Sequence, residues 1–415
     1  MIRPCILILL IGLLARPAAA QEAPRAPEPD APALFDEPGL ITSAFDFAGR
    51  YMSRGVGEPG KDGFYPKVGG MISGAGWIAV GPGYRHHLFG DRAVADVYAT
   101  VSWRGYLKAD ASLEFPLLAG GRLEAGTEAA WQDSTQVNYF GLGPDSSEDL
   151  RSQYRIQSMN IVGYARYRFT RSLAVSGRLG WLDGPSIQSA TGPFKPDDSL
   201  DTQTTFPDDP AMTLAEQPAF VHGETAVTFD TRDYAAHPTR GGLARGSVGW
   251  YQADTYRFRF RRYELEGLQA FPMFDRLWVV VVRGWSVFSD AASDQQVPFY
   301  MLPSLGGGDS LRGYSNYRFH DRHLLLTGAE SRVAIFAHVD AAVFVDSGGV
   351  APRVADLGFH NTVYGFGVRV HSHSATVARL DVAHNDEGWQ MMFRSSDPFS
   401  LSRLKRWMAA VPFVP

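Results

Sequence analysis

Leu305-Gly306-Gly307-Gly308-Asp309-Ser310-Leu311-Arg312-Gly313-Tyr314 is a glycine-rich stretch with one arginine, and Phe344-Val345-Asp346-Ser347-Gly348 follows it with a carboxylate inside an apolar run. A lone loop arginine would ordinarily read as solvated. Glycines, however, reach φ > 0 and let a backbone lie close against a wall, uses that a floppy loop does not need. A guanidinium removed from water costs several kcal/mol unless it meets a planar anion. The stretch therefore predicts a docked loop, with a carboxylate available on the next hairpin.

The chain around that loop alternates with a period of two. From Ala93 to Trp103, the residues Ala95, Val97, Ala99, Val101 and Trp103 take one face, and Asp96, Tyr98, Thr100 and Ser102 take the other. Val339, Ala341, Val343 and Val345 alternate with Asp340, Phe344 and Asp346; Tyr364, Phe366, Val368 and Val370 alternate with Gly365, Gly367, Arg369 and His371. Segments of about ten residues alternating between hydrocarbon-compatible and polar side chains are expected of transmembrane strands around a polar lumen. About sixteen such segments occur, an even number that puts both termini on one side. The longest connections, 132–153, 183–218, 289–320 and 348–361, all fall on the other side. The fold class is thus all-β: a transmembrane antiparallel barrel of about sixteen strands with an inward-folded outer loop.

Composition agrees with that class. Aromatics make up 13% of the chain, glycines number 43, and the net charge is −5. A nucleic-acid binder would show a basic stripe, which is missing. Residues 1–20 read as a secretory signal, with Arg3, an apolar run from Ile6 to Leu14 and Ala18-Ala19-Ala20 before Gln21. The only cysteine, Cys5, falls in it, so neither disulfides nor thiolate-held metal is expected of the mature chain. The linker 21–61 is rich in Ala, Pro and Glu and has no periodicity; in it, Ala44 to Tyr51 could be a plug, an extra strand or a small dock. No run of about 18 apolar residues follows, so a helical span is not expected.

Further motifs join the first. Phe229-Asp230-Thr231-Arg232-Asp233, then Pro238 and Gly241-Gly242, read as a strand end, a turn with internal Asp/Arg contacts and a glycine that reverses the chain. Tyr139-Phe140-Gly141-Leu142-Gly143-Pro144-Asp145, Gly365-Phe366-Gly367-Val368-Arg369 and Arg379-Leu380-Asp381 complete the set. Together these resemble the barrel domain of the BamA/TamA family of outer-membrane proteins, the bacterial surface antigen type, over roughly residues 62–399. The resemblance implies that the loop 289–320 enters the lumen with Arg312, Gly313 and Tyr314 at its tip and Gly306, Gly307 and Gly308 behind it. It makes Asp346 the anchor, with Glu330 a second inward carboxylate, and it places Asp230, Arg232, Asp233, Pro238 and Gly241 in a periplasmic hairpin. It also implies an outer-membrane location, no cofactor, a lipid surround including lipopolysaccharide, and a client protein or periplasmic partner. Family members carry periplasmic POTRA modules of roughly seventy-five residues, and 21–61 is too short for one; the expected role is help with insertion or translocation, with a passive pore as the alternative.

A hydrolase reading competes. Gly308-Asp309-Ser310-Leu311 spells the GDSL block of lipase-like enzymes, and Asp381-Val382-Ala383-His384 spells their D-x-x-H. Barrel-like strands rather than helices separate the two blocks, so no catalytic residues are assigned. His371-Ser372-His373 and His320-Asp321-Arg322-His323 lack further ligands at short spacing and read as exposed turn or loop residues rather than a metal centre. Beyond Phe399, the tail 400–415 carries Leu401, Leu404, Trp407 and Met408 at helical spacing against Arg403, Lys405 and Arg406; it is read as either a short amphipathic helix or a frayed end.

Overall fold

The computed structural model describes residues 33–39, 62–69, 71, 78–207, 217–372, 375–394 and 397–398. The expected signal segment, the expected Ala44 to Tyr51 element and the tail 400–415 lie outside the described residues. The wall begins with β1 (Gly63–Gly69), β2 (Ala79–Leu88), β3 (Ala93–Ser102), β4 (Leu107–Leu118), β5 (Leu123–Tyr139), β6 (Ser152–Arg168), β7 (Leu173–Leu182) and β8 (Phe220–Asp230). It continues with β9 (Gly241–Ala253), β10 (Arg259–Met273), β11 (Trp278–Asp290), β12 (His323–Phe336), β13 (Val339–Ala351), β14 (Asn361–His371), β15 (Thr376–Asn385) and β16 (Gly388–Arg394). These are the sixteen wall strands among the described residues; Ser186–Ser189, Leu200–Asp201, Ser304–Leu305 and Phe319–His320 are short strands within loops. Each wall strand pairs antiparallel with the next, from β1–β2 through to β15–β16.

The period of two decides which face is which. Val80, Val97, Val101, Leu179, Val248, Val343, Val345, Tyr364, Phe366 and Val368 are exposed on the outer face. Arg178, Arg245, Glu264, Arg283, Glu330, Asp340, Asp346, Arg369 and Asp381 are buried on the inner one. A soluble sandwich would reverse this sense; a barrel in hydrocarbon requires it. Exposed aromatics mark both rims: Trp103, Trp181 and Trp250 near the long-loop end, and Phe89, Phe169, Phe229, Phe271, Phe274 and Trp278 near the short-turn end. Such girdles flank the apolar band at both interfaces, and the indole rings of Trp103, Trp181, Trp250 and Trp278 are amphipathic anchors there.

Strands β5 and β6 run 17 residues each, further than alternation alone suggests. From Gln132 to Tyr139 every residue is buried, because both faces are covered by protein. Thr135 and Gln136 donate to Arg104 O of the β3–β4 turn, Gln136 also to Pro193 O of the β7–β8 loop, and Asn138 to Asn316 O of the β11–β12 loop. Polar residues without alternation read as a loop, yet here they continue the ladder. The apolar cap of the lumen forms at this level, from Tyr139, Tyr154, Phe220, Tyr251, Phe260 and Phe299.

Before the wall, Leu34 and Phe35 donate backbone hydrogen bonds to Ala334 O and Ile335 O at 3.0 and 3.1 Å. Glu37 pairs with His338 at 2.8 Å in the β12–β13 turn. Part of the expected linker is therefore docked on the short-turn end.

Candidate functional site

The loop between β11 and β12 turns into the lumen. Its glycines allow the path: Gly306, Gly307 and Gly313 have φ of 117°, 87° and 88°. A Cβ on Gly306 would lie 2.2 Å from Ser315 O, and one on Gly313 would lie 2.8 Å from Ala383 Cβ. Gly308 has no such φ; there the backbone carbonyl is what matters, because it accepts from Arg379 Nη2 at 2.6 Å. Ser310 ties the turn, its hydroxyl donating to Gly306 O at 2.7 Å and accepting from Gly306 N at 3.0 Å.

At the tip, Arg312 donates to Asp346 through Nε at 2.6 Å and Nη2 at 3.0 Å, and through Nη1 to Glu330. Its guanidinium lies 3.7 Å from the centre of the Phe344 ring, so the face of the cation is covered as well as its edge. Arg312, Asp346 and Glu330 are all 0% exposed. Glu330 also accepts from Arg332 Nε at 2.8 Å and Arg369 Nη2 at 2.8 Å. Arg369 and Arg379 share Asp381, at 2.5 and 2.8 Å. Arg283 donates to Ser310 O at 2.5 Å and Asp346 at 3.3 Å. Charges this deep each cost several kcal/mol to desolvate, and the alternation of guanidinium and carboxylate with nearly every lone pair used offsets that cost.

Gly313 and Tyr314 hold the loop to the last two strands. Asn385 Nδ2 donates to Gly313 O at 2.8 Å, and Tyr314 OH donates to Asp386. Arg318 joins Glu387 at 2.5 Å and reaches Ser146 Oγ at 2.8 Å. Burial lifts the Glu387 carboxyl above its ordinary range, against the pull of Arg318. Gly143 N donates to His320 O at 2.9 Å, so the Tyr139–Asp145 formula is the dock for the far end of the loop. Burial drives the His320 imidazole down to about 3.

The other sequence expectations divide. In the turn after β8, Asp230 accepts from Arg232 Nε at 2.9 Å and Nη2 at 2.7 Å, while Asp233 accepts from Thr239 N at 3.0 Å. Gly241 takes φ of 82°, and its Cβ would strike Thr231 O at 2.1 Å. Pro238 lies between His237 and Thr239 in the same hairpin. The GDSL triad does not assemble: Asp381 is buried in the lumen with two arginines, while His384, on the opposite face of β15, stacks on Tyr364 with ring centres 5.2 Å apart. The reading of the histidines as exposed is corrected: His320 and His323 are buried, and His371 is half-buried beside His237 and Asp340; His373 lies outside the described residues. Arg283 and Arg332 gave no sequence signal beyond inward parity, since neither lies in a motif.

A family model for the Omp85 superfamily domain matches residues 88–385. No curated protein matches the chain. Among solved structures, the fold is similar to BamA from Haemophilus ducreyi lacking POTRA domains 1-3, with TM-score 0.59 and 14% identity over 81% of this chain and 70% of that one. It is also similar to CdiB from Escherichia coli, with TM-score 0.50 and 11% identity over 80% of this chain and 61% of that one. CdiB from Acinetobacter baumannii follows, with TM-score 0.48 and 12% identity over 80% of this chain and 58% of that one. The docked arginine loop, the polar lumen and the matched domain agree: the chain belongs to the Omp85 superfamily of bacterial outer-membrane β-barrel proteins.

Proposed function

We propose that the barrel assists insertion or translocation of a protein, or of a lipid, at the outer membrane through a seam between β1 and β16. One observation carries this reading. Strands β1 and β16 are only 7 residues long, against 13 to 17 in β9 to β13, β5 and β6, and among the described residues no register joins them. Short edge strands open at lower cost than their longer neighbours and offer a template to an incoming strand. Trp389, Met391 and Phe393 are exposed along β16, suited to a lipid or client contact. The Arg312 loop braces the wall from inside while the seam moves. Its partners are the surrounding lipids, including lipopolysaccharide, a client outer-membrane or secreted protein, and a periplasmic component at the short-turn end.

The test uses cysteines at Phe64 or Val68 in β1, paired with cysteines at Trp389, Met391 or Phe393 in β16. A crosslink at one register that also blocks client incorporation is expected; no crosslink at any register would sink the seam. Deleting the protein in its host should alter the outer-membrane protein or lipid profile. An unaltered profile with reduced solute uptake would replace this reading with a passive pore.

A further inference from the structure

The hairpin from Thr231 to Arg240 leaves the wall between β8 and β9 and crosses the short-turn mouth of the barrel. Ala236 bridges to Ala375, and Thr376 N donates to Ala236 O at 3.0 Å. The crossing sets His237 beside Asp340, at the start of β13, and His371, at the end of β14. His237 Nε2 lies 3.5 Å from one Asp340 oxygen, and His371 Nε2 lies 3.1 Å from the other. The candidate ligand atoms of the three residues all lie within 4.8 Å of one another.

The hydrogens on these rings can be placed from their other neighbours. His371 Nδ1 faces Ser372 O at 3.1 Å; a carbonyl only accepts, so that nitrogen carries its hydrogen. His237 Nδ1 faces Thr376 Oγ1 at 3.0 Å, and the threonine hydroxyl already donates to Asp397 Oδ2 at 3.0 Å, so His237 Nδ1 donates too. Arg332 Nη1 stands further off, at 3.5 Å, while Nε and Nη2 of the same guanidinium pair with Glu330 and Asp397 at 2.8 Å each. These Nδ1 contacts leave both Nε2 atoms turned toward the Asp340 carboxylate, so two imidazole nitrogens and one carboxylate converge on a single point. The two rings stack with centres 4.1 Å apart and planes 12° from parallel, so both present an Nε2 edge to the same carboxylate. A single metal ion can engage all three groups at once, where a proton bridges only two.

We propose that His237, Asp340 and His371 bind a divalent transition metal of the zinc class. Two imidazole nitrogens and one carboxylate suit such an ion, with a water completing four-coordination. Ser372 O on one ring, and Thr376 backed by Asp397 on the other, are the outer partners that fix ligand tautomer and orientation. Metal at this point would fasten the hairpin to β13 and β14.

The test uses the full chain without a histidine tag, in detergent, stripped with a chelator and titrated with Zn²⁺. Wild type should take up one Zn²⁺ per chain. His237→Gln and His371→Gln should each bind at least about 100-fold more weakly while keeping heat-modifiable migration on gels, and Thr376→Val should weaken binding about 10-fold. Co²⁺ in the same site should give visible d–d absorption that His237→Gln abolishes. Folded wild type that takes up no Zn²⁺, or His237→Gln with unchanged affinity, would overturn the proposal. Should the histidine variants fail to fold, Thr376→Val decides alone: it leaves all three ligands in place, and an unchanged affinity counts against the site.

Discussion

Arg312 and Asp346 meet through two parallel hydrogen bonds, 2.6 and 3.0 Å long, with both side chains fully buried. They stand 34 residues apart in sequence, so the pair closes a loop rather than decorating a strand.

Removing one side of that pair leaves the other charged in the lumen. Arg312→Ala is expected to destabilise the docked loop by about 3–5 kcal/mol, the usual cost of an orphaned buried charge. Arg312→Lys keeps the charge but not the two-pronged geometry and should recover less than half of that loss. Protease resistance of the loop and the unfolding midpoint in detergent are the measurements. Wild-type values for Arg312→Ala would remove the docking role.

Gly313→Ala combines a φ of 88° with a Cβ only 2.8 Å from Ala383. The left-handed backbone costs roughly 1–2 kcal/mol for an L side chain, and overpacking adds about 1–3. Gly284→Ala in β11 meets nothing within 4 Å and should fall within about 0.5 kcal/mol of wild type. Equal midpoints for the two variants would contradict the tight fit at the loop tip.

Ser310→Ala tests chemistry and packing together. No ester hydrolysis should be detectable before or after the change, because Asp381 and His384 lie on opposite faces of β15. The loop should still lose about 1–3 kcal/mol, since Gly306 N is left without its acceptor. An esterase signal that disappears with Ser310 would revive the hydrolase.

Acid should loosen the outer end of the loop. His320 is neutral when docked, held at about 3 by burial, and returns to an ordinary value near 6.5 when exposed. The undocked state therefore binds the extra proton between those limits. Docking is fully stable above about pH 6.5 and weakens as pH falls, by up to about 1.4 kcal/mol per unit. His320→Gln should flatten the dependence of loop proteolysis on pH; an equally steep profile in the variant would refute the assignment.

The wall was legible because each strand obeys one local rule. The inward parity of Asp346 and Arg369 and the outward parity of Val343 and Phe366 follow from alternation alone. Which inward groups meet was legible only for Arg312, where glycines and a motif mark the spot. Arg283 and Arg332 are luminal by parity, but their partners come from the loop, from Glu330 two positions along β12 and from the segment after β16. Asp397 illustrates the difficulty: it follows the last strand, where a chain is expected to leave the barrel, yet it is bound inside. Parity likewise cannot show that a hairpin after β8 reaches β14 and β15, so His237 read as part of a turn and His371 as exposed.

That hairpin makes the barrel mechanically uneven. A ring of strands alone would distribute any opening around its whole circumference. A strut from the β8–β9 turn to Ala375 and Thr376 triangulates the arc between them, so β8 to β15 resist bending as one piece. Compliance is left to the arc from β1 to β7 and to β16, on either side of the edge where, among the described residues, no register is formed. Widening the barrel would therefore move the first seven strands against a fixed frame, like a door against its jamb.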